Sequence, residues 1–319
     1  LMELALSVVP FALLWLVMVR LVDSHYGLVL ILAVPAAGFL IRLFLIQHDC
    51  GHGSFFVKRR ANEWIGRCAG VLTLSPYAYW RRVHSMHHAG TGNLDRRGIG
   101  DVDTLTLREF HQMGSWRRLR YRVYRNPVIL FGLGPVWLFL IQYRLPVGLM
   151  RNGWRPWLSA MGNNCAIGTL YAAMILAVGL RTFLLVQGPI LLLASTVGVW
   201  LFYIQHQFEQ TQWRHAEEWT FEEAALLGSS HYTLPVLLQW FTANVGIHHL
   251  HHLHSTIPFY RLPAALKMTP ELSRINRLTF RDSLRSVNLV LWDESASRLV
   301  TFREARRVNG LQQGGSGND

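Results

Sequence analysis

Charge is distributed along this chain in blocks. Residues 4–19, 26–41, 156–180 and 182–205 contain no Asp, Glu, Lys or Arg, whereas the segments between are rich in arginine. A helix that crosses a bilayer needs about 20 consecutive apolar residues. The blocks therefore predict four spans, at about residues 4–22, 26–47, 157–180 and 182–206. A short loop at Asp23 and His25 joins the first pair, and Arg181 is the only charge between the last two. Helices satisfy their own backbone polar groups, which is what a bilayer demands of a spanning segment.

The apolar segment at residues 127–143 reads differently. It is short, contains Pro127 and Pro135, and has arginines on both sides, from Arg117 to Arg125 before it and Arg144, Arg151 and Arg155 after it. Basic flanks at both ends place both ends on one face of the membrane. A re-entrant or interfacial helix is expected there. Parity then follows: with only four crossings, His48 and His206 lie at the same face, and a fifth crossing would separate them.

The pieces "CAGVLTLSPYAYW" and "LLGSSHYTLPVLLQWFTANVGI" are apolar but broken by Pro76, Pro235 and Asn244, and read as interfacial helices. From Arg261 onward the pattern is amphipathic and basic. Residues 1–310 are expected to form one domain, and 311–319, ending in "GGSGND", a disordered tail. No cleavable signal peptide is evident at the Leu1 start. The expected fold class is all-α integral membrane, four transmembrane helices under a helical cap.

Composition agrees: 51% of the 319 residues are hydrophobic, and the mean hydropathy is +0.20. The net charge is +12, from 31 Lys+Arg against 19 Asp+Glu. In a soluble protein this would suggest nucleic acid. Here the positive-inside rule accounts for it, and no nucleic-acid partner is expected. Cys50, Cys68 and Cys165 are too far apart to suggest a CxxC site.

Most of the fifteen histidines are clustered. His48 and His52 lie in "HDCGH", His84, His87 and His88 in "HSMHH", and His248, His251 and His252 in "HHLHH". Residues three and four apart share a helical face, so each cluster aims its imidazoles one way. A single HxxxH pair is more often incidental than functional. Three clusters on one predicted face argue against coincidence. Neutral imidazole is a ligand for iron, zinc or copper. The donors exceed what one tetrahedral zinc requires and would suit two metals with open positions. His206, at the end of the last span, could add a ninth. His25, His111, His215, His231, His249 and His254 read as surface or supporting residues, and His231 stands out because "GSSHY" is a polar notch in an apolar stretch.

The three boxes in this order resemble those of the integral-membrane fatty acid desaturases. "HDCGHGSFF" and "NVGIHHLHHLHSTIPFYRLP" are similar to the bacterial and plastid acyl-lipid enzymes, especially the Δ12 (omega-6) branch, and "GNLDRRGIGD" and "YIQHQFEQTQW" resemble bacterial members. The likeness covers roughly residues 30–263. It implies two irons bound at the membrane–cytoplasm boundary, with O2 as co-substrate and electrons from an external donor such as ferredoxin. It also implies a double bond introduced into an acyl chain of a membrane lipid, in a bacterial inner membrane, with the active site facing the cytoplasm. The ligands carried over are His48, His52, His84, His87, His88, His248, His251 and His252, with His206 matching an extra histidine of relatives. Some relatives place an asparagine one turn before that histidine; here Phe202 stands there, and Asn244 is a candidate polar neighbour of the metal.

An unactivated methylene has no acidity for a side chain to exploit, so the chemistry needs iron and O2. Carboxylates would orient the imidazoles through the second ring nitrogen. Asp49 is a candidate, with Asp101, Asp103 and Glu209, although acids among arginines are usually solvated pairs. Trp80, Phe202 and Trp240 could line an acyl tunnel or simply pack. Arg81, Arg82, Arg96 and Arg97 could hold a lipid phosphate or an acidic ferredoxin, or merely mark the cytoplasmic face. Gly51 and Gly53 would let the backbone pack closely, with Cys50 facing away. Box spacing does not separate desaturation from hydroxylation or ketone formation on a lipid, alkane or carotenoid. A non-enzymatic metal transporter or haem electron carrier is the reading from another class. It fits less well, since the clusters sit at span ends.

Overall fold

A computed structural model describes residues 1–98 and 100–307. The tail expected at 311–319 lies outside the described residues. Helices α1 (Met2–Leu21) and α2 (Tyr26–His52) form an antiparallel pair. Gly53 stops α2 in the left-handed region at φ 73°, its N–H returning to the carbonyls of Asp49 and Cys50, the usual glycine-capped helix end. Two amphipathic helices follow, α3 (Arg59–Leu72) and α4 (Tyr77–Gly90), then the short α5 (Leu107–Gln112) and the arginine-rich α6 (Ser115–Tyr124).

Next come a π-helical turn (Ile129–Leu133) and α7 (Gly134–Leu140). Together with the following residues to Arg144 they are bent by 60° from α6. Phe131 packs on Trp200 and Tyr203, while Tyr143 packs on Tyr79 and the Arg144 guanidinium donates to the Leu74 carbonyl. Phe131 is thus held on α9, its carbonyl accepting from the Thr196 hydroxyl, while the far end of the segment lies against α4.

α8 (Trp154–Val178) and α9 (Leu180–His206) are joined through Gly179 alone. Among the described residues four helices, α1, α2, α8 and α9, are long and apolar enough to cross a membrane. Their outward leucines, such as Leu13, Leu176, Leu184 and Leu192, are exposed, while Val29, Ala33, Ala36, Val186 and Ile190 are buried between them. At one end Arg42 of α2 is buried, paired with Glu3 at 2.5 Å and lying 3.9 Å over the Trp240 ring. This ties the start of α1 to α2 and to the connecting helix that carries Trp240.

The remainder forms the cap with α10 (Phe221–Leu227), α11 (Val236–Phe241), α12 (His248–Leu253), α13 (Leu262–Met268) and α14 (Phe280–Ser286). The described residues are mostly helical, as expected, and the cap adds a few very short strands. β1 (Leu105–Thr106) pairs in parallel with β4 (Leu291–Asp293), which pairs antiparallel with β5 (Arg298–Val300). β2 (His231–Tyr232) pairs in parallel with β3 (Arg277–Leu278). Strands of two or three residues are too short for a period-2 signal, and the partners of β1 and β2 are distant in sequence.

Candidate metal centre

The last turn of α2, the face of α4, the end of α9 and the short α12 meet at one point. α12 is set there by its backbone: the amides of His248 and His249 both donate to the Ser230 carbonyl. Gly246, just before it, lies against the Tyr232 carbonyl so closely that an added Cβ would stand 2.2 Å from that oxygen. On α4, the Trp80 ring stacks on His84 with centroids 4.6 Å apart.

The imidazoles converge in two groups. His48, His52, His84, His88 and His251 form the first, and His87, His206, His248 and His252 the second; within each, the ligand atoms lie within 4.8 Å of one another. Neighbouring Nε2 atoms are 3.0 Å apart for His52–His84 and His84–His88, and 3.3 Å for His88–His251. In the second group they are 3.1 Å apart for His87–His206 and His206–His248, and 3.0 Å for His248–His252. Nitrogens bound to a common ion at about 2.1 Å sit about 3.0–3.4 Å apart, so the donor set fits a metal ion in each group. His84, His88, His248, His251 and His252 are pushed well below the ordinary imidazole range, first by burial and then by neighbouring imidazoles. They are therefore neutral, with a lone pair to donate.

Partners on the other ring nitrogen fix several of these rings, as metal-ligating histidines require. His48 Nδ1 lies 3.0 Å from Asp49 Oδ1, and Asp49 Oδ2 also accepts the Phe259 N–H at 2.7 Å. His87 Nδ1 pairs with Asp101. The His206 Nδ1–H donates to the Gly228 carbonyl at 3.0 Å.

The two groups differ in enclosure. All four histidines of the second are buried, whereas His52, His84 and His88 of the first are half-buried. A cavity of about 450 Å³, lined by Gly51, His52, Arg81, Arg82 and His84, opens on the first.

Of the remaining expected residues, Phe202 packs on His87 and His206 at 5.2 and 5.9 Å. Asn244 adopts φ 54° and donates to the Phe259 carbonyl at 3.2 Å, so it shapes the turn that Asp49 also holds rather than reaching an imidazole of the two groups. His231 hydrogen-bonds the Ser273 carbonyl and lies 5.3 Å from the His249 ring. Trp240 covers Arg42. Asp103 uses its backbone carbonyl toward Arg125, Glu209 is exposed, and Arg97 pairs with Glu109 at 2.6 Å. The Gly228 carbonyl behind His206 was not foreseeable, since a backbone acceptor leaves no mark in the sequence.

Comparison with known proteins bears on what this centre belongs to. The family described as "Fatty acid desaturase" matches residues 24–283. A "Fatty acid desaturase" of Bacillus subtilis is 44% identical over 308 residues, covering 97% of this chain and 87% of that protein. An "sn-1 acyl-lipid omega-3 desaturase (ferredoxin)" of Synechocystis is 31% identical, and an "sn-1 oleoyl-lipid 12-desaturase" of the same organism 27% identical. Each of these two alignments covers 70% of this chain and 62% of the relative. With the family match spanning most of the chain and histidine clusters at the ends of membrane-length helices, this protein belongs to the fatty acid desaturases, an oxidoreductase family.

Proposed function

We propose that the two histidine groups hold two iron ions, and that the protein introduces a double bond into an acyl chain of a membrane lipid. The observation that carries this reading is the convergence of nine imidazoles, most of them buried, with carboxylates behind them and none among the donors. Iron with O2 supplies the oxidising power that no side chain has. The balance is simple: the acyl chain gives up two hydrogens from adjacent carbons. One O2, two electrons from a carrier and two protons then complete the formation of two waters.

The protein's own residues hold and shield. Asp49, Asp101 and the Gly228 carbonyl keep ring nitrogens pointing inward. Trp80 and Phe202 wall the imidazoles with apolar rings and exclude water from them. The Arg81 and Arg82 rim suits an acidic electron donor of the ferredoxin type, as the name of the omega-3 relative also suggests. For regiochemistry we favour a Δ12, omega-6-like position on the motifs, with omega-3 as the competing outcome.

Topology follows the same reading. The segment ending at Arg144 is re-entrant, since both of its ends contact the histidine end of the bundle. The arginine excess there argues for a cytoplasmic face in a bacterial inner membrane. Residues 1–310 would act as one domain.

Expression in a host without polyunsaturated lipids, followed by fatty acid profiling, tests the proposal. Acyl chains lighter by two hydrogens are expected. Chains carrying an added oxygen would instead identify a hydroxylase or ketolase. His84→Ala should abolish the product, and a product made at the wild-type level by that variant would refute the assignment of the centre.

A further inference from the structure

Arg125 follows the last turn of α6, is 2% exposed, and has no carboxylate partner among the described residues. A buried cation without a counter-ion is costly unless its donors are satisfied. Here the guanidinium fans out to three separate pieces of chain. Nη1 donates to the Asp103 carbonyl at 2.9 Å and to Thr104 Oγ1 at 3.3 Å. Nη2 donates to Gln207 Oε1 at 3.1 Å, the Leu289 carbonyl at 2.9 Å and Tyr203 Oη at 3.3 Å. Gln207 closes the ring by donating its Nε2–H to Thr104 Oγ1 at 2.9 Å. The Tyr203 hydroxyl in turn reaches the carbonyls of Ser286 and Leu289.

Two of those three pieces lead to the second histidine group and only to it. Residues 103–104 continue from Asp101, which backs His87. Tyr203 and Gln207 bracket His206 at the end of α9. The first group draws its histidines from α2, α4 and α12 and has no member on either piece.

We infer that Arg125 is a positioning residue for the second histidine group alone, clamping the Asp101 segment, the end of α9 and the C-terminal sheet region into one rigid support. The two Nη groups of a planar guanidinium reach five acceptors on three segments, with Nε left unpartnered. Lysine, with three N–H donors on one nitrogen, cannot serve all five in those directions. The two metal sites are thereby separable: both take histidines from α4 and α12, but the clamp braces members of the second group alone.

The inference rests on the two-ion reading above, and its test distinguishes the two. Iron content and chelator-induced release are measured on the purified full chain for wild type, Arg125→Lys, Arg125→Met and Thr104→Val, alongside the melting temperature of each metal-free protein. Wild type should bind about two ions per chain. The variants should hold one with wild-type affinity and the other roughly 10–100-fold more weakly, giving two-phase release. Thr104→Val trims the clamp without stranding the charge, so it decides the matter where the Arg125 variants do not fold. Loss of both ions in parallel, or retention of both at wild-type affinity, in Thr104→Val overturns the inference. A wild-type protein that binds no metal would instead overturn the reading beneath it.

Discussion

The Nε2 atoms of His87 and His206 lie 3.1 Å apart, although 119 residues separate them in the chain. One comes from an amphipathic cap helix and the other from the end of a membrane-length helix. Their meeting makes His206 part of the second group rather than a polar residue at an interface. His206→Ala should therefore lower bound metal by about half and cut product formation by at least about 100-fold. Elemental analysis and product assay check it; full metal content in the variant would remove His206 from the ligand set.

Asp49 performs two tasks with its two oxygens, one toward His48 and one toward the Phe259 amide. Asp49→Ala strands a buried N–H, which costs about 1–3 kcal/mol, and also frees the His48 ring. Asp49→Asn can keep one of the two contacts. Metal affinity should fall in the order wild type, Asn, Ala, and only the Ala variant should show the larger loss of melting temperature. Equal behaviour of the two variants would show that the carboxylate does not orient His48.

Gly246 leaves no room for a side chain against the Tyr232 carbonyl. Gly246→Ala must push α12 away from β2, and such overpacking costs about 1–3 kcal/mol. Because α12 carries His248, His251 and His252, metal binding in both groups should weaken together. A variant with wild-type melting temperature and metal content would contradict this.

His215 joins two exposed loops, with Nδ1 3.0 Å from Asp95 and Nε2 3.3 Å from Glu294. The hydrogen bond to Asp95, then that to Glu294, raises the imidazole pKa above its ordinary value. A group whose folded pKa is raised stabilises the protein below the free value of about 6.5. That contribution disappears as pH rises through the raised value. The melting-temperature difference between wild type and His215→Gln should thus be measurable near about pH 6 and vanish near about pH 9. It will be small, since the ring is half exposed. A difference that grows with pH would contradict the clasp.

Much of the architecture was legible in the charge blocks. The four long helices start within two residues of the uncharged runs, and all but α2, which runs on past Arg42 to His52, also end within two, because a bilayer imposes both length and composition. The HxxxH and HxxHH spacings likewise announce shared helical faces. What lay beyond reach was the selection among acids. Asp49, Asp101, Asp103 and Glu209 look alike in sequence, and only folding brings the first two to an imidazole while turning Asp103's backbone to Arg125. Arg125 itself is hidden among five arginines between residues 117 and 125 that read as one basic surface. Its acceptors lie up to 164 residues away, so no local pattern marks it as buried. The strands escaped because two or three residues are too few for an alternating pattern.

The order of these parts along the chain has a consequence for how the protein is made. All four membrane-length helices are complete by His206, whereas His248, His251 and His252, the Gly228 carbonyl and the Leu289 contact of Arg125 come later. A nascent chain can thus be fully threaded into the bilayer while its ligand shell is still unfinished. Chain order thus puts the full donor set after the last membrane-length helix, so its completion depends on residues made after the helices.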